Sequence, residues 1–278
     1  MSATEKLNTG RSSEFVDGSS PSVSGLVDGI LSGSIIAGAG AMQVQSSSLT
    51  VIRNGASEAI PNQSVNVTAA DATNPRVDMV QWDGATLSVK AGTPASISTM
   101  NAPTPDANNI PLALIFIYPN GTTIRNMGLQ DASGQFNAIF AYYYARRGLY
   151  AALLARQDSS VSSALQADPV VALPVYHPRT GVVSISYDGS VVTAGGAIPL
   201  GVFVTLHLDA VNIIRSQCAQ RYIESPLATI ASNAEAQVNM KYSRGNVSSG
   251  VHRWTPMVQV SNNPSSLVYR QMELQEIL

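Results

Sequence analysis

Alternating apolar and polar positions predict β-strands over most of the chain. Between residues 46 and 130, runs of β-branched and aromatic residues are separated by three dipeptides, Asn54-Gly55, Asp83-Gly84 and Asn120-Gly121. Such Asx-Gly pairs adopt the positive φ angles of tight hairpin turns. The pattern therefore predicts an antiparallel β module over residues 46–130, in which the proline-containing and mostly polar residues 95–109 form a surface loop.

The spacing of apolar residues changes between residues 131 and 168. Apolar side chains recur there at intervals of three and four, at Phe136, Ile139, Phe140, Tyr143, Tyr150, Leu153, Leu154, Val161 and Leu165. This spacing is typical of an amphipathic helix. Asp131 or Ser133 would cap its start, Gly148 would divide it and Asp168-Pro169 would end it.

Three consecutive tyrosines, Tyr142 to Tyr144, fall inside this segment. They would form either a platform on which a ligand stacks or part of the core and of the packing between helices. Successive residues of a helix point about 100° apart, so the three rings cannot share one surface. Packing is therefore the favoured interpretation.

The strand pattern returns after Pro169. A turn is predicted at Asp188-Gly189, between strands over residues 182–187 and 191–193. Residues 234–242 alternate strictly, with one face formed by Ala234, Ala236, Val238, Met240 and Tyr242. One face of this strand should be buried and the other wet.

These patterns predict a mainly β fold, in which two antiparallel β-sandwich-like modules are joined by a helical segment and preceded by an extended N-terminal arm. The predicted divisions are an arm at residues 1–45, a β module at 46–130, a helical connector at 131–168 and a C-terminal β domain at 169–278. The arm is rich in Ser and Gly and lacks a core of its own, so we expect it to dock on a partner. It carries no secretory signal, and its apolar residues 30–42 are too few to span a bilayer, so we expect synthesis in a cytoplasm and no membrane span.

Charge is scarce in this chain of 278 residues. Charged residues make up 12% of it and the net charge is −2, against about 25% charged residues in an average soluble protein. This balance argues against a nucleic-acid partner and suits close contact between copies. The single cysteine, Cys218, excludes an internal disulfide framework and is interpreted as a small buried side chain rather than a nucleophile.

Residues suited to catalysis are present but scattered. His177, His207 and His252 lie far apart in the sequence and lack the spacing of a metal site, and His207 is interpreted as structural. Glycoside hydrolysis needs two carboxylates held roughly 5 to 9 Å apart. The candidate aspartates stand mostly at turns and in loops, where Asp has a purely conformational use, at Asp71, Asp78, Asp83, Asp106 and Asp188. We therefore expect no enzymatic activity, no cofactor and no metal.

A possible recognition surface lies between residues 242 and 254. A polar, Gly-containing stretch from Ser243 to Gly250 is predicted to be a loop, and Arg244, Arg253 and Trp254 beside it could stack on a sugar or grip a partner. The alternative, a plain hairpin with Trp254 in the core, is favoured. Elsewhere, Arg76 and Asp78 share a strand face and would form either a salt bridge between copies or a weak solvated pair.

One group of motifs carries a family resemblance. Residues 69–80 read AADATNPRVDMV and are followed by Trp82-Asp83-Gly84, by Ala91-Gly92-Thr93-Pro94-Ala95 and, after a spacer, by Ile110-Pro111-Leu112-Ala113-Leu114-Ile115. In this order they resemble a module of structural proteins in tailed-phage tails and baseplates, over about residues 49–131. The residues that match its pattern, with an architectural role, are Asn74, Pro75, Arg76, Asp78, Gly92, Pro94 and Pro111.

The resemblance implies a virion component with a β-sandwich module. The first hypothesis is a structural subunit of a bacteriophage tail fibre, spike or baseplate that forms a homotrimer and joins other virion proteins through the N-terminal arm. The second is a receptor-binding adhesin tip whose C-terminal β domain recognises a host surface glycan or protein. The third is a glycan-degrading tailspike, which lacks a carboxylate constellation in this sequence.

Overall fold

The computed structural model describes residues 26–126, 137–155, 159–161, 166–167, 171–193, 200–212, 219–223, 235–260 and 265–277. Within these ranges every regular element is a β-strand. In chain order the strands are β1 Gly29–Ala37, β2 Gln43–Arg53, β3 Ala56–Ile60, β4 Ser64–Asn66, β5 Arg76–Trp82, β6 Leu87–Lys90, β7 Ile110–Ile117, β8 Ile124–Arg125, β9 Asn137–Tyr144, β10 Gly148–Ala155, β11 Ser159–Val161, β12 Gln166–Ala167, β13 Leu173–His177, β14 Gly181–Thr193, β15 Leu200–Leu208, β16 Val211–Asn212, β17 Ala219–Ile223, β18 Glu235–Val247, β19 Gly250–Val260 and β20 Ser265–Ile277. The described part of the chain holds no helix that is long and apolar enough to cross a bilayer.

The strands form two sheets. The main path of the larger sheet runs β18-β14-β20-β10-β9-β1-β2-β3, and β7 joins it at β9 and carries β5 and β6. The smaller sheet runs β12-β19-β15-β16, with β13 on β19 and β17 on β15. Strand pairing is antiparallel, except for short parallel contacts of β9 with β1 and β8.

Two hydrophobic cores lie on opposite faces of β5, β7 and β9. The first core joins these strands to β10, β14, β20 and the smaller sheet, through side chains such as Phe116, Tyr143, Ile185, Leu206, Trp254 and Leu274. The second core joins them to β1 and β2, through side chains such as Ile30, Ile35, Val44, Leu49, Ile115 and Ile139. All residues of β5 and β7 are buried, because neither strand has a face toward solvent.

The prediction of a helical segment at residues 131–168 is wrong. Its described residues form β9 and β10, a hairpin that pairs Tyr144 with Gly148 across a three-residue turn. β9 is buried on both faces, with Ile139 in the second core and Phe140 in the first. A strand with two buried faces has a nearly continuous apolar sequence, and this sequence also satisfies the spacing of a helix.

The tyrosine run packs in the cores, although on a strand. Tyr143 points into the first core, where its hydroxyl donates to the carbonyl oxygen of Tyr176 at 2.9 Å. Tyr142 belongs to the second core and Tyr144 packs against it, with their ring centroids 5.9 Å apart. The proposed helix caps at Asp131, Ser133 and Asp168-Pro169 lie outside the described residues.

Two of the Asx-Gly dipeptides that predict turns have different conformations in the structure. Asn54 and Gly55 have φ angles of 52° and 77° in the β2–β3 hairpin, as predicted. Asp188-Gly189, in contrast, lies within β14, which pairs along its length with β18 on one side and β20 on the other. Pairing on both sides therefore overrides the turn preference of this dipeptide.

Part of the predicted arm belongs to the larger sheet. Residues 1–25 lie outside the described residues, but β1 and the start of β2 fall within residues 26–45, and Ile30, Ile35 and Val44 are buried in the second core. The division of the chain at residues 46, 131 and 169 stays a prediction.

Candidate functional site

The motif residues build a buried ionic clamp. The guanidinium of Arg76 donates from Nε to Oδ1 of Asp78 at 2.8 Å and from Nη2 to Oδ2 at 3.0 Å. It also donates to the carbonyl oxygens of Thr68 at 2.6 Å and Ala69 at 2.9 Å. Arg76 is 4% exposed and Asp78 is 0% exposed. The pair is therefore an internal contact of one chain, and neither a solvated pair nor a bridge between copies.

The clamp extends into the segment that follows β6. The backbone N–H of Gly92 donates to Oδ1 of Asp78 at 2.9 Å, and a Cβ added to Gly92 would lie 2.1 Å from the carbonyl oxygen of Val77. Only glycine allows this close approach of two backbones. The next contact is the Ala95 N–H to the carbonyl oxygen of Pro75, at 2.9 Å.

The other motif residues have positions that suit their chemistry. The N–H of Asn74 donates to Oδ1 of Asp71 at 2.7 Å, in the turn before β5. Pro111 pairs with Gln81 at a register shift of the β5–β7 ladder, where a residue without an N–H is tolerated. Pro94 is exposed. The contacts of Asn74 and Pro111 stabilise the module.

The candidate aspartates are engaged in local structure. N–H groups of Asn74 and Thr73 lower the pKa of Asp71, and N–H groups of Thr86 and Ala85 lower that of Asp83. Hydrogen bonds from Lys90 and Gln81 lower the pKa of Asp106. The Oδ1 of Asp188 accepts from the Asn239 amide at 2.7 Å. Lowered pKa values oppose a role as general acid near neutral pH.

Of the three predicted recognition residues, Trp254 is not on the surface. Trp254 is fully buried in the first core, as the favoured alternative required. Arg244 lies on β18, opposite Val183 of β14, and Arg253 lies on β19 of the other sheet. Residues 243–247, predicted as a loop, continue β18, and Ser248 and Ser249 connect the two strands.

This connection brings together a serine, a histidine and an aspartate. The Nδ1 atom of His252 lies 2.7 Å from Oδ2 of Asp209, and its Nε2 atom lies 3.2 Å from Oγ of Ser248. Asp209 and Ala210 have φ angles of 51° and 65°, which fit a tight turn between β15 and β16. The other carboxylate oxygen, Oδ1 of Asp209, accepts the Arg253 N–H at 2.8 Å.

The hydrogen bonds of His252 oppose a nucleophilic role for Ser248. Besides the hydroxyl, Nε2 faces the carbonyl oxygen of Ser248 at 2.9 Å, and a carbonyl oxygen only accepts hydrogen bonds. A lone pair on Nε2 would point at this carbonyl oxygen, so the contact favours a hydrogen on Nε2. A base in a catalytic triad instead needs a free electron pair at Nε2 to take the serine proton. The arrangement therefore joins the Asp209 turn to the start of β19 by hydrogen bonds.

A second histidine lies in the core close to His252. His177 is 1% exposed, its ring centroid is 5.5 Å from that of His252, and its Nε2 accepts from the Trp254 indole N–H at 3.4 Å. Burial, followed by the nearby His252, lowers the pKa of His177 to about 4. The His177 ring is therefore neutral at neutral pH.

Metal ligation finds no support in the described residues, which contain no group of three or more His, Cys, Asp or Glu suited to an ion. His207 lies on β15, where burial lowers its pKa. Cys218 lies outside the described residues. The Asp209–His252 contact was not predicted from the sequence. The tolerance of Asp for positive φ angles was a usable signal for the turn at Asp209.

No protein-family model and no curated protein sequence matches the chain. Among solved structures, infectious bursal disease virus strain Gx is 9% identical, over 90% of this chain and 69% of that chain, with a TM-score of 0.32. Dimeric latent PorU from Porphyromonas gingivalis is 9% identical over 44% and 10%, with a TM-score of 0.26. Insecticidal delta-endotoxin Cry8Ea1 from Bacillus thuringiensis is 8% identical over 97% and 55%, with a TM-score of 0.27. Scores of this size assign neither a fold nor a function.

We expect Asp78→Ala to lower the free energy of unfolding by about 3–5 kcal/mol, because it leaves the Arg76 charge buried without its partner. Denaturant unfolding measures the change. In a double-mutant cycle with Arg76→Met, the two losses should not add, because both variants break the same contact. A loss below about 1 kcal/mol for Asp78→Ala would be that of a solvated pair and would contradict the clamp.

We also expect acid to destabilise the fold through His177. Between its ordinary pKa of 6.5 and its folded pKa of about 4, the unfolded chain binds a proton that the folded chain does not. Stability should therefore fall as the pH decreases through this window, by up to about 3 kcal/mol. The measurement is the free energy of unfolding from pH 7 to pH 4, with His177→Gln as control. Equal pH dependence of the two proteins would refute the role of His177.

Proposed function

We propose that this protein is a structural component of a virion. In more detail, it is a subunit of a bacteriophage tail fibre, spike or baseplate that assembles as a homotrimer and attaches to the particle through its N-terminal arm. Its partners are further copies of itself and other virion proteins, and neither nucleic acid nor a membrane span is involved. Its location is the virion, after synthesis in the host cytoplasm.

The observation that carries this proposal is the role of the motif residues. Arg76, Asp78 and Gly92 are joined in the buried clamp between β5 and the segment after β6. A motif that is used to hold two segments of backbone together is architectural, which agrees with the role implied by the tail-protein resemblance. The proposed function therefore depends on a structural contact and not on a catalytic site.

Assembly with further copies is supported by the character of the surface. A chain with 12% charged residues has few charges to desolvate when copies meet. Among the described residues, Val182 and Ile277 are large exposed apolar side chains, and they lie opposite each other on β14 and β20. A contact between copies across this position would cover both.

We further propose that the protein is not an enzyme. Among the described residues, the arrangement most like a catalytic site is Ser248, His252 and Asp209, and the Nε2 atom that would have to act as base faces the Ser248 carbonyl oxygen at 2.9 Å. A serine-reactive fluorophosphonate probe should therefore leave Ser248 unlabelled.

In solution we expect a mass three times that of the 29.2 kDa chain, measured by light scattering at micromolar concentration. The reason is that trimeric fibres are what the resemblance implies. An antibody raised against the chain should label the tail of the particle in electron micrographs. A monodisperse monomer, or labelling confined to the particle head, would contradict the proposal.

Attachment through the arm is tested by removing residues 2–25. This deletion keeps β1 and both cores, so the unfolding transition should be unchanged while incorporation into particles is lost. The matched control removes residues 2–45 and with them Ile30, Ile35 and Val44 of the second core, so it should lower stability. Normal incorporation of the shorter deletion would disprove attachment through residues 2–25.

A further inference from the structure

A cavity of about 450 Å³ opens beside the turn between β9 and β10. Leu31 of β1 forms one wall, Tyr144, Arg146 and Arg147 come from the turn region, and Tyr150 and Gln275 come from β10 and β20. Its volume falls in the roughly 300–1,000 Å³ range of small-molecule sites. None of the motif or clamp residues described above lines it.

The sheet register places the polar residues of this cavity. Tyr150 pairs with Tyr142 on one side and with Gln275 on the other, so these three residues stand side by side across β9, β10 and β20. Tyr144 is two residues from Tyr142 and therefore lies on the same face of β9. The floor of the cavity is thus a paired sheet rather than a loop.

The turn that carries Arg146 and Arg147 is held in place by backbone hydrogen bonds at both of its ends. Gly148 has a φ of +70°, and a Cβ there would lie 2.4 Å from Oε2 of Glu276. That buried carboxylate accepts the Leu149 N–H at 3.0 Å and pairs with Arg179 at 3.1 Å. On the other side, the Ala145 N–H donates to the carbonyl oxygen of Ile30 at 2.8 Å. The backbone at both ends of the turn is therefore fixed before any ligand arrives.

The side chains around the cavity offer a defined set of contacts. Arg146 and Arg147 are exposed, and a guanidinium matches the two oxygens of a carboxylate. Burial raises the pKa of Tyr144, and burial together with nearby Glu273 raises that of Tyr150, so both hydroxyls stay protonated and can donate. Gln275 adds an amide that both donates and accepts.

We propose that this cavity binds the carboxylated sugar unit of an acidic glycan. A sugar acid presents one carboxylate for the arginines, hydroxyls for the amide and the phenol groups, and an apolar ring face for the tyrosines. This binding site goes beyond the architectural role and does not depend on it.

The test uses the methyl glycosides of glucuronic acid and N-acetylneuraminic acid as probes, with methyl glucoside as the neutral comparison. Titration calorimetry and saturation-transfer NMR on the full chain should show binding of at least one acidic glycoside and none of methyl glucoside. The double variant Arg146→Gln/Arg147→Gln should weaken binding at least about tenfold, since it removes both charged hydrogen bonds. Tyr150→Ala should also weaken binding.

The charge-matched control is Lys241→Gln, an exposed position on β18, three strands away from β10. It should leave binding unchanged, and thermal unfolding of each variant checks the fold. Three results would overturn the proposal: no binding of either acidic glycoside, an equal loss in Lys241→Gln, or full binding by Tyr150→Ala. Binding of adenosine monophosphate in preference to both glycosides would assign the cavity to a phosphate ligand instead. None of these results bears on the trimer measurement.

Discussion

Burial of β5, β7 and β9 on both faces is the constraint on which the rest of the fold depends. These strands separate two cores, so nearly every side chain along them must be apolar, and any polar side chain must find its partner inside the protein. Asp78 stands in the middle of β5 and meets this requirement through Arg76 and the N–H of Gly92. The clamp therefore allows a charged residue to occupy a strand whose two faces are both buried.

Two of the side-chain contacts described above, Arg76–Asp78 and Asp209–His252, solve different problems. Arg76 and Asp78 are withdrawn from solvent and hold segments that are close in sequence, whereas Asp209 and His252 lie near the surface and join strands 43 residues apart. The second contact places a serine, a histidine and an aspartate in an order that resembles a catalytic triad. The Ser248 carbonyl oxygen, however, occupies the position at which a base would need its electron pair. The hydrogen-bond acceptors around a histidine therefore decide whether it can act as a base, and the presence of a serine and an aspartate beside it does not.

Several features of the fold could be predicted from sequence, where a local chemical preference decides the outcome. The Asn54-Gly55 turn is an example, and the core position of Trp254 was the favoured alternative. The hairpin of β9 and β10 was missed because burial on both faces removes the alternation by which strands are recognised. The turn predicted at Asp188-Gly189 is wrong, because pairing of β14 with β18 and β20 outweighs the turn preference of this dipeptide. The cavity could not be predicted from the sequence, because a helix over residues 131–168 gives no reason to place Arg147 beside Gln275.

The position of β20 has a consequence for how the protein is made. This strand comes after the other nineteen along the described chain, yet it lies between β14 and β10 near the middle of the larger sheet. Until residues 265–277 have left the ribosome, β10 and β14 each present an edge without its final partner, and edges of this kind invite pairing between chains. The larger sheet can therefore close only after residues 265–277 have been synthesised, by contacts between distant segments that form slowly. Premature pairing between nascent copies is the hazard that this topology creates, and insertion of β20 between β10 and β14 removes it.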